Sequence, residues 1–411
     1  MISPATPSPA SAPSTTDLFT QGDLGYFVHR IPGLVVAPKT GTILAYCEGR
    51  TYEKHGDWGQ TDVLLRRSLD GGQTWDPARK IAHVGKPVPL YPGAKNRSDP
   101  EYGNDQAANN PVAIADGRSG CVHFLYCVDY HNCFYMRSDD DGVTFSEPVE
   151  ITSAFEGFKK SVDWKIIATG PGHGIQLRNG RLIVPVWISP AGSEGYEHRP
   201  NTAAVLFSDD FGVTWQAGDI VSPLQEQRDL NETAVVELSD GRVMLNMRNY
   251  QPGNRRLVST SLNGHSLWSK PEPLGDIWEP ICMAGMLRLT FSSTGMQSRL
   301  LYSGPAGRRG RPDGRPGIMR EDLTIRLSYD EGLSWPVCRQ IAAGFSGYSD
   351  LAVTKNGMIF CFFETKNEKD SFTLTLARFP LEWLTDGRDA LQRHEPVHRS
   401  EGGDFAFRTG L

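Results

Sequence analysis

Several features that would assign the chain to a common class are missing from its sequence. No apolar run reaches the roughly 18 residues that a membrane-spanning helix requires, so no membrane span is expected. There is no phosphate-binding loop, no dinucleotide-binding fingerprint and no Gly-x-Ser-x-Gly nucleophile elbow. Helix signals are scarce, apart from a short turn predicted at 381–384. These absences argue against a helical protein and against nucleotide-dependent or serine-hydrolase chemistry.

The sequence has no excess of positive charge. Its 42 basic and 48 acidic residues give a net charge of −6, which argues against nucleic acid as the main partner. The N-terminus lacks the charged-then-apolar signal of an exported protein, which slightly favours a cytoplasmic location. A secreted protein whose sequence has been trimmed is the alternative. Nothing in the sequence specifies the oligomeric state.

Cysteine is infrequent, and its spacing fits no disulfide framework. The count is odd, so we expect buried free thiols. Close Cys-Cys and His-His pairs are absent, so no metal site is expected. No organic cofactor is expected either. The seven cysteines are Cys47, Cys121, Cys127, Cys133, Cys282, Cys338 and Cys361.

Glycine (43 residues) and proline (28) are plentiful and aromatic residues make up 10% of the chain, which favours short strands joined by tight turns. A Ser-x-Asp-x-Gly-x-Thr-Trp pattern recurs along the chain, and successive copies begin 53 to 70 residues apart. The copies are Ser68-Leu-Asp70-Gly-Gly72-Gln-Thr74-Trp75, Ser138-Asp-Asp140-Asp-Gly142-Val-Thr144-Phe145, Ser208-Asp-Asp210-Phe-Gly212-Val-Thr214-Trp215, Ser328-Tyr-Asp330-Glu-Gly332-Leu-Ser334-Trp335 and a worn copy from Ser261 to Trp268.

The repeated pattern is typical of a hairpin turn. We expect its Ser and Asp side chains to bond nearby backbone amides, its Gly to take the strained position and its aromatic residue to pack the turn down. One repeat has room for about four short strands, which is one blade of a propeller. About 360 residues at this spacing fit six blades better than seven. The sequence therefore predicts an all-β, six-bladed β-propeller with four-stranded antiparallel blades.

The predicted domain organisation is simple. Residues 1–16 are rich in Pro, Ala, Ser and Thr, and we interpret 1–22 as a disordered or extended leader. The propeller is predicted over 23–385. Residues 386–411 are polar and charged and are expected to form a tail that is packed on the outside or frayed.

The segment 229–250 carries the clearest local signal for a site. Two β-prone runs, 233–238 and 243–247, flank Ser239-Asp240-Gly241 and predict a hairpin. With a three-residue loop and Gly241 in the left-handed conformation, Leu238 pairs with Arg242, and Glu232 then lies opposite Arg248. A two-residue loop would place that carboxylate and guanidinium on opposite faces instead. An ordinary cross-strand ion pair is the simpler interpretation.

Taken together, the motifs of the chain resemble the sialidase (neuraminidase) family, whose members are six-bladed propellers with turn repeats called Asp boxes. The resemblance runs from Tyr26 to about Leu384, with the motifs in family order. They are Arg30-Ile31-Pro32, Cys47-Glu48-Gly49-Arg50, Gly170-Pro-Gly-His173-Gly-Ile-Gln176, Asn231-Glu232, Leu245-Asn-Met-Arg248, Arg320 before Leu323-Thr-Ile-Arg-Leu-Ser328, and Tyr348-Ser349-Asp350.

The resemblance implies a substrate with a carboxylate on its anomeric carbon. Arg30, Arg248 and Arg320 occupy the three arginine positions of the family, and guanidinium groups bind carboxylates bidentately. The third position is the least defined by sequence, because an insertion just before it offers other arginines. These alternatives to Arg320 are Arg308, Arg309, Arg311 and Arg315.

The catalytic groups follow from the same resemblance. Sialidases use a Tyr nucleophile in place of a carboxylate; Tyr348 matches it, and Glu232 matches the base that activates it. Asp57, in a polar Gly-flanked loop, is the candidate general acid/base, and Asp62 is its competitor. The simpler structural interpretations are that Tyr348 is a packed loop aromatic, Glu232 an ion-pair partner in the hairpin and Asp57 a turn-forming residue.

Four further residues are assigned to the surroundings of the site. Glu364 matches the acidic residue that orients the first arginine. Glu48 and Arg50 either build the pocket or only pair with each other. His173, between glycines, is expected to form a hydrogen bond in the core or at the pocket edge instead of serving as a base.

The sequence thus predicts a retaining exo-α-sialidase acting on terminal sialic acid of glycoconjugates. The chain departs from the family at Pro280-Ile-Cys282-Met, where a Gln is often found after the Cys, which leaves the preferred sialic acid open. A hydrolase of a related nonulosonic acid, such as deaminated sialic acid, is one alternative. A non-catalytic carbohydrate-binding propeller is the other, and the joint presence of Asp57, Glu232 and Tyr348 counts against it.

Overall fold

Antiparallel β-sheet dominates the computed structural model, which describes residues 12–54, 56–82, 104–190, 198–226, 229–293, 296–307 and 318–391. The strands of the first half are β1 (Ser14–Thr20), β2 (Val28–Val36), β3 (Ile43–Arg50), β4 (Thr61–Ser68), β5 (Arg79–Lys80), β6 (Ala108–Ala115), β7 (Val122–Val128), β8 (Asn132–Ser138), β9 (Val149–Glu150), β10 (Ile166–Thr169), β11 (Gly172–His173), β12 (Ile175–Gln176) and β13 (Leu182–Ser189). Those of the second half are β14 (Thr202–Ser208), β15 (Gln216–Ala217), β16 (Thr233–Glu237), β17 (Val243–Met247), β18 (Arg255–Ser261), β19 (Glu272–Trp278), β20 (Gly285–Thr290), β21 (Arg299–Pro305), β22 (Glu321–Ser328), β23 (Val337–Val353), β24 (Ile359–Lys366) and β25 (Phe372–Phe379).

Helical structure in the described residues is limited to short elements. Three 3-10 helices span Asp23–Gly25, Thr152–Lys160 and Leu224–Glu226, and the α-helix α1 spans Leu381–Leu384. This helix coincides with the turn predicted at 381–384. No helix of the described chain has the length and apolar character needed to cross a membrane.

The strands form six four-stranded antiparallel units. Four units are separate sheets. The first contains β2–β5, and the second contains β6–β9 with β11 added at one edge. The third contains β10, β13, β14 and β15, with β12 paired to β13, and the fourth contains β16–β19. The remaining sheet runs in the order β1-β25-β24-β23-β22-β21-β20. Its 17-residue strand β23 pairs with β22 through residues 337–345 and with β24 through residues 346–353, so the sheet comprises two units that share one strand.

Apolar cores lie between consecutive units and connect them in a closed ring. Leu44 and Phe124 share the core between the first and second units, and further cores follow between each later pair. The ring closes because Phe19, Leu34 and Phe360, from β1, β2 and β24, share one core. Strands β3, β7, β13 and β14 are buried at every residue, since neighbouring units cover both faces of each sheet.

The repeated turns have the hydrogen bonds that the sequence predicts. In the first copy, the Ser68 hydroxyl accepts a bond from the Gly72 amide at 2.8 Å and donates one to Asp70 at 2.9 Å. The same carboxylate accepts bonds from the Thr74 amide and hydroxyl. The glycine has a φ of 80°, the left-handed region that favours glycine. The other three full copies repeat this bonding.

Parts of the predicted leader and tail belong to the folded domain. Strand β1 lies within the segment 1–22 and pairs with β25, because Leu18 and Phe19 bury their side chains in the core. At the other end, Asp389 pairs with Arg299 of β21 at 2.7 Å. Residues 1–11 and 392–411 lie outside the described residues, so the remainder of the leader and tail stays a prediction.

Candidate active site

Seven of the nine predicted site residues line one polar cavity. They come from strands or connections of four different units and are separated by up to 318 positions in the sequence, from residue 30 to residue 348. The seven are Arg30, Arg50, Asp57, Glu232, Arg248, Arg320 and Tyr348. The other two, Glu48 and Glu364, lie buried behind the wall and hold arginines that form it.

The hairpin β16–β17 brings Glu232 and Arg248 together in the predicted register. The Leu238 amide donates to the Arg242 carbonyl and the Arg248 amide to the Glu232 carbonyl, so the three-residue loop is confirmed. Gly241 has a φ of 89°. The carboxylate and the guanidinium therefore lie on the same face at the open end of the hairpin, with Arg248 Nη1 2.6 Å from Glu232 Oε2.

Tyr348 completes a compact triad with this pair. Its hydroxyl donates to Glu232 Oε1 at 2.5 Å and accepts a bond from Arg248 Nη1 at 2.6 Å. Burial raises the pKa of Tyr348 well above its ordinary value, although the Arg248 guanidinium opposes the shift. In the free protein the phenol is therefore neutral, and its hydroxyl points at the carboxyl group of Glu232.

Two more guanidinium groups flank the Tyr348 ring. Arg30 lies 5.4 Å and Arg320 lies 5.5 Å from the ring centroid, within cation–π range. Arg320 also donates to the Ile281 carbonyl. The four alternatives to Arg320, at positions 308, 309, 311 and 315, lie outside the described residues.

Glu364 fixes Arg30 from behind. It is 1% exposed, and its Oε1 accepts bonds from Arg30 Nε at 2.6 Å and the Ile31 amide at 3.1 Å. Its Oε2 accepts a bond from the Tyr348 amide at 3.1 Å. Burial alone would raise the pKa of Glu364, but the Arg30 guanidinium and these amides hold it below its ordinary value.

A second buried network holds Asp57. Arg50 donates through Nε and Nη2 to Glu48 Oε2 at 2.9 and 2.7 Å, and through Nη1 to Asp57 Oδ1 at 2.5 Å. The Asn110 amide donates to Glu48 Oε1. The Arg50 guanidinium lowers the pKa of Asp57 to about 2, against the opposing effect of burial. The competing candidate Asp62 does not line the cavity, because it accepts bonds from Tyr26 and Lys80, both at 2.7 Å.

Several residues of the cavity were not anticipated from the sequence. Tyr130, Trp187 and His198 form an aromatic wall, with ring centroids 4.6 to 6.0 Å apart. They come from separate segments and carry no common motif, so no sequence signal points to them. Tyr250 also lines the cavity and accepts a bond from Arg248 Nη2 at 2.6 Å.

His173 and Cys282 lie outside the cavity lining. His173 Nδ1 bonds Asp350 Oδ1 at 2.7 Å, and Asp350 Oδ2 accepts a bond from the Leu34 amide of β2. This agrees with the hydrogen-bonding role predicted for His173. Cys282 is buried, so its side chain is not a pocket wall. In the described part of the chain, no group of three or more His, Cys, Asp or Glu could hold a metal ion.

Residues 41–361 match the model of the BNR repeat-like domain. A sialidase of Micromonospora viridifaciens is 30% identical over 384 residues, which are 90% of this chain and 54% of that protein. Human Sialidase-3 is 27% identical over 421 residues, 87% of this chain and 91% of that protein.

The chain belongs to the sialidase family.

This sialidase-family chain also matches solved structures. The Hadza microbial sialidase Hz136 has a TM-score of 0.71 at 24% identity, over 90% of this chain and 69% of that one. The Trypanosoma rangeli sialidase has a TM-score of 0.66 at 19% identity, over 92% and 61%. The fold is therefore mostly β and similar to that of the sialidase propellers. The chain spans 54% and 61% of the length of the M. viridifaciens and Bacteroides fragilis sialidases.

Proposed function

We propose that this sialidase-family protein is a retaining exo-α-sialidase that releases terminal sialic acid from glycoconjugates through a tyrosyl intermediate. The observation that carries the proposal is the position of the Tyr348 hydroxyl, 2.5 Å from Glu232 and 2.6 Å from Arg248. The six units, the closed ring of cores and the repeated turns support a six-bladed propeller with Asp boxes as the framework of this site.

The arginines supply the recognition of the substrate. Sialic acid carries its carboxylate on the anomeric carbon, and Arg30, Arg248 and Arg320 present guanidinium groups to the same end of the cavity. Such groups bind carboxylates by charge-assisted hydrogen bonds and stay charged at all relevant pH values. Bound there, the carboxylate holds the anomeric carbon next to the Tyr348 hydroxyl.

The first step replaces the glycosidic bond by a bond to Tyr348. The phenol oxygen attacks the anomeric carbon while its proton passes to Glu232. The bond to the leaving group breaks, and its oxygen takes a proton from Asp57. A phenol suits this position because a carboxylate nucleophile would be repelled by the carboxylate of the substrate.

The second step releases the sugar. Asp57, now ionised, takes a proton from water, and the water oxygen attacks the anomeric carbon. The bond to Tyr348 breaks and Glu232 returns the proton to the phenol oxygen. Two displacements at the same carbon leave its configuration unchanged, so the enzyme is retaining. These steps use side chains and water only.

The proposal is tested by Tyr348→Phe, which removes the nucleophilic oxygen and keeps the ring between its arginines. We expect kcat/KM for an aryl sialoside to fall by about 10³-fold or more, since a lost nucleophile is not replaced by binding alone. A 2,3-difluoro sialic acid should label the wild-type peptide that contains Tyr348 and leave the variant unlabelled, as read by mass spectrometry. Undiminished turnover by the variant, or labelling elsewhere, would contradict the assignment.

The same assay should include an aryl glycoside of deaminated sialic acid. The residue that stands in place of the family's Gln is Met283, which is buried and does not line the cavity, so this departure gives no reason to favour the deaminated sugar. A higher kcat/KM for the deaminated glycoside would replace sialic acid by the related nonulosonic acid as the substrate, with the same catalytic residues.

A further inference from the structure

A charged pair is completely buried beside the cavity. Arg256 of β18 is 0% exposed and Glu279 is 1% exposed, and Arg256 Nη1 lies 2.6 Å from Glu279 Oε2. The burial raises the pKa of Glu279, although Arg256 opposes the shift. Buried pairs of this kind contribute little stability compared with apolar side chains of the same volume. Their presence therefore requires another explanation.

The pair holds a short strained segment by its backbone. Arg256 Nη1 donates to the Cys282 carbonyl at 2.6 Å, and the Cys282 amide donates to Glu279 Oε1 at 2.8 Å. Ile281, directly before Cys282, has a φ of 56°, which is unfavourable for a β-branched residue. Arg256 also bonds the side chain and the carbonyl of Asn246 in β17. Arg256 thus connects the segment to β17, the strand that ends directly before Arg248.

The strained residue faces an arginine of the cavity. The Ile281 carbonyl accepts a hydrogen bond from Arg320 Nη2, the same side chain that lies over the Tyr348 ring. An arginine side chain has several rotatable bonds, and such a contact selects one of its orientations. The position of that carbonyl is in turn set by the bonds of Arg256 and Glu279 to the neighbouring Cys282.

We propose that the buried Arg256–Glu279 pair is a positioning device that aims Arg320 at the carboxylate of the substrate through the backbone of residues 281 and 282. The inference rests on the proposed sialidase function. The segment Pro280-Ile-Cys282, where the sequence departs from the family, then acts through its backbone. Neither Arg256 nor Glu279 lines the cavity, so both are positioning residues and not catalytic ones.

The test replaces the whole pair in Arg256→Met/Glu279→Met, which keeps the volume and leaves no unpaired charge. The measured quantity is the inhibition constant of an unsaturated sialic acid analogue that bears the same carboxylate, together with KM and kcat. We expect the analogue to bind about tenfold more weakly, the equivalent of one charge-assisted hydrogen bond. KM should rise more than kcat falls.

A control is Arg288→Met/Glu331→Met, which removes a second arginine–glutamate pair in which Arg288 is buried and Glu331 is partly exposed, and neither residue lines the cavity. It should leave the inhibition constant within about twofold of wild type, as expected for distant independent sites. Arg256→Lys serves if the double variant does not fold. A lysine can pair with Glu279 but cannot also hold Asn246 and the Cys282 carbonyl, so we expect a smaller loss of affinity in the same direction.

The deciding measurement combines the pair replacement with Arg320→Ala. If the pair acts through Arg320, its replacement changes the inhibition constant by less than about twofold once Arg320 is gone. The inference is overturned if the pair replacement weakens analogue binding by the same factor in the Arg320→Ala variant as in the wild type. It is also overturned if the pair replacement alone leaves the affinity unchanged. Wild-type protein that neither binds the analogue nor releases sugar would refute the proposed function itself, and this outcome is read before any variant is compared.

Discussion

Glu364→Gln perturbs the residue that fixes Arg30, one of the three arginines proposed to bind the carboxylate of the substrate. The glutamate accepts bonds on both oxygens, from Arg30 and the Ile31 amide on one and from the Tyr348 amide on the other. A glutamine has the same shape but offers one acceptor and one donor group. Whichever way the amide is turned, an N–H group faces a buried donor, and Arg30 loses its counter-charge.

The cost can be worked from these contacts. Breaking a buried ion pair costs about 3–5 kcal/mol, and a buried N–H left without a partner costs about 1–3 kcal/mol. These two costs overlap, so they do not add in full. Because the Arg30 side chain is 23% exposed, water also reduces the cost of breaking the ion pair. We expect Glu364→Gln to lower the free energy of unfolding by about 3 kcal/mol at neutral pH. KM for an aryl sialoside should rise as Arg30 loses its fixed orientation.

The same substitution has a pH signature. The pKa of Glu364 in the folded protein lies below its ordinary value of 4.5, so its ionised form stabilises the fold. That contribution is fully present above pH 4.5 and is lost as the pH falls through the lower, folded-state value. Glutamine does not titrate. The difference in unfolding free energy between wild type and variant should therefore be largest near neutral pH and shrink below pH 4.5.

Urea denaturation from pH 7 to pH 3, followed by tryptophan fluorescence, measures this difference. Glu237→Gln is the matched control, because Glu237 is buried and accepts two bonds from Arg178, whose side chain is 44% exposed. The control should lose less stability and keep KM. A difference for Glu364→Gln below about 1 kcal/mol, or one that does not change with pH, would refute the reasoning.

Two further substitutions test the acid and the packing of the first unit. Asp57→Asn should lower kcat/KM for a sialylated galactoside, which has a poor leaving group, by about 10²–10⁴-fold, and affect the glycosylation step of an aryl sialoside much less; equal losses on both substrates would exclude a general-acid role. Gly33→Ala should lower the free energy of unfolding by about 1–3 kcal/mol, because a Cβ there would lie 2.0 Å from the ring of buried Tyr46. Thermal denaturation measures the effect, and an unchanged midpoint would show that the ring can move aside.

Local chemistry made part of this molecule predictable from its sequence. The loop Ser239-Asp240-Gly241 fixes a hairpin register, and the register alone places Glu232 opposite Arg248. The repeated turns were equally accessible, since each depends on side chains that bond amides two to four positions away. Tyr250 could have been found in the same way, because residues two apart in an extended segment point to the same side and Tyr250 follows Arg248 by two.

Long-range contacts made the rest unpredictable. The aromatic wall of Tyr130, Trp187 and His198 exists only because three separate segments meet at the cavity. Arg256 lies in an ordinary strand run, and nothing in the sequence indicates that its side chain is among the largest fully buried ones of the described residues. The pairing of the Thr-rich strand β1 with β25, more than 350 positions away, was likewise not accessible from the sequence.

The electrostatics of Asp57 link the site to its proposed reaction. A general acid has to carry a proton, yet the Arg50 guanidinium at 2.5 Å keeps Asp57 ionised in the free protein. His198 and Arg30 add to the positive surroundings and lower the pKa further. In the proposed reaction, the substrate brings its carboxylate to the Arg30 side of the same cavity, where it offsets part of that positive charge and raises the affinity of Asp57 for a proton. On this proposal the charge of the substrate helps to convert Asp57 from a base into an acid, and the leaving-group dependence of Asp57→Asn tests that acid role directly.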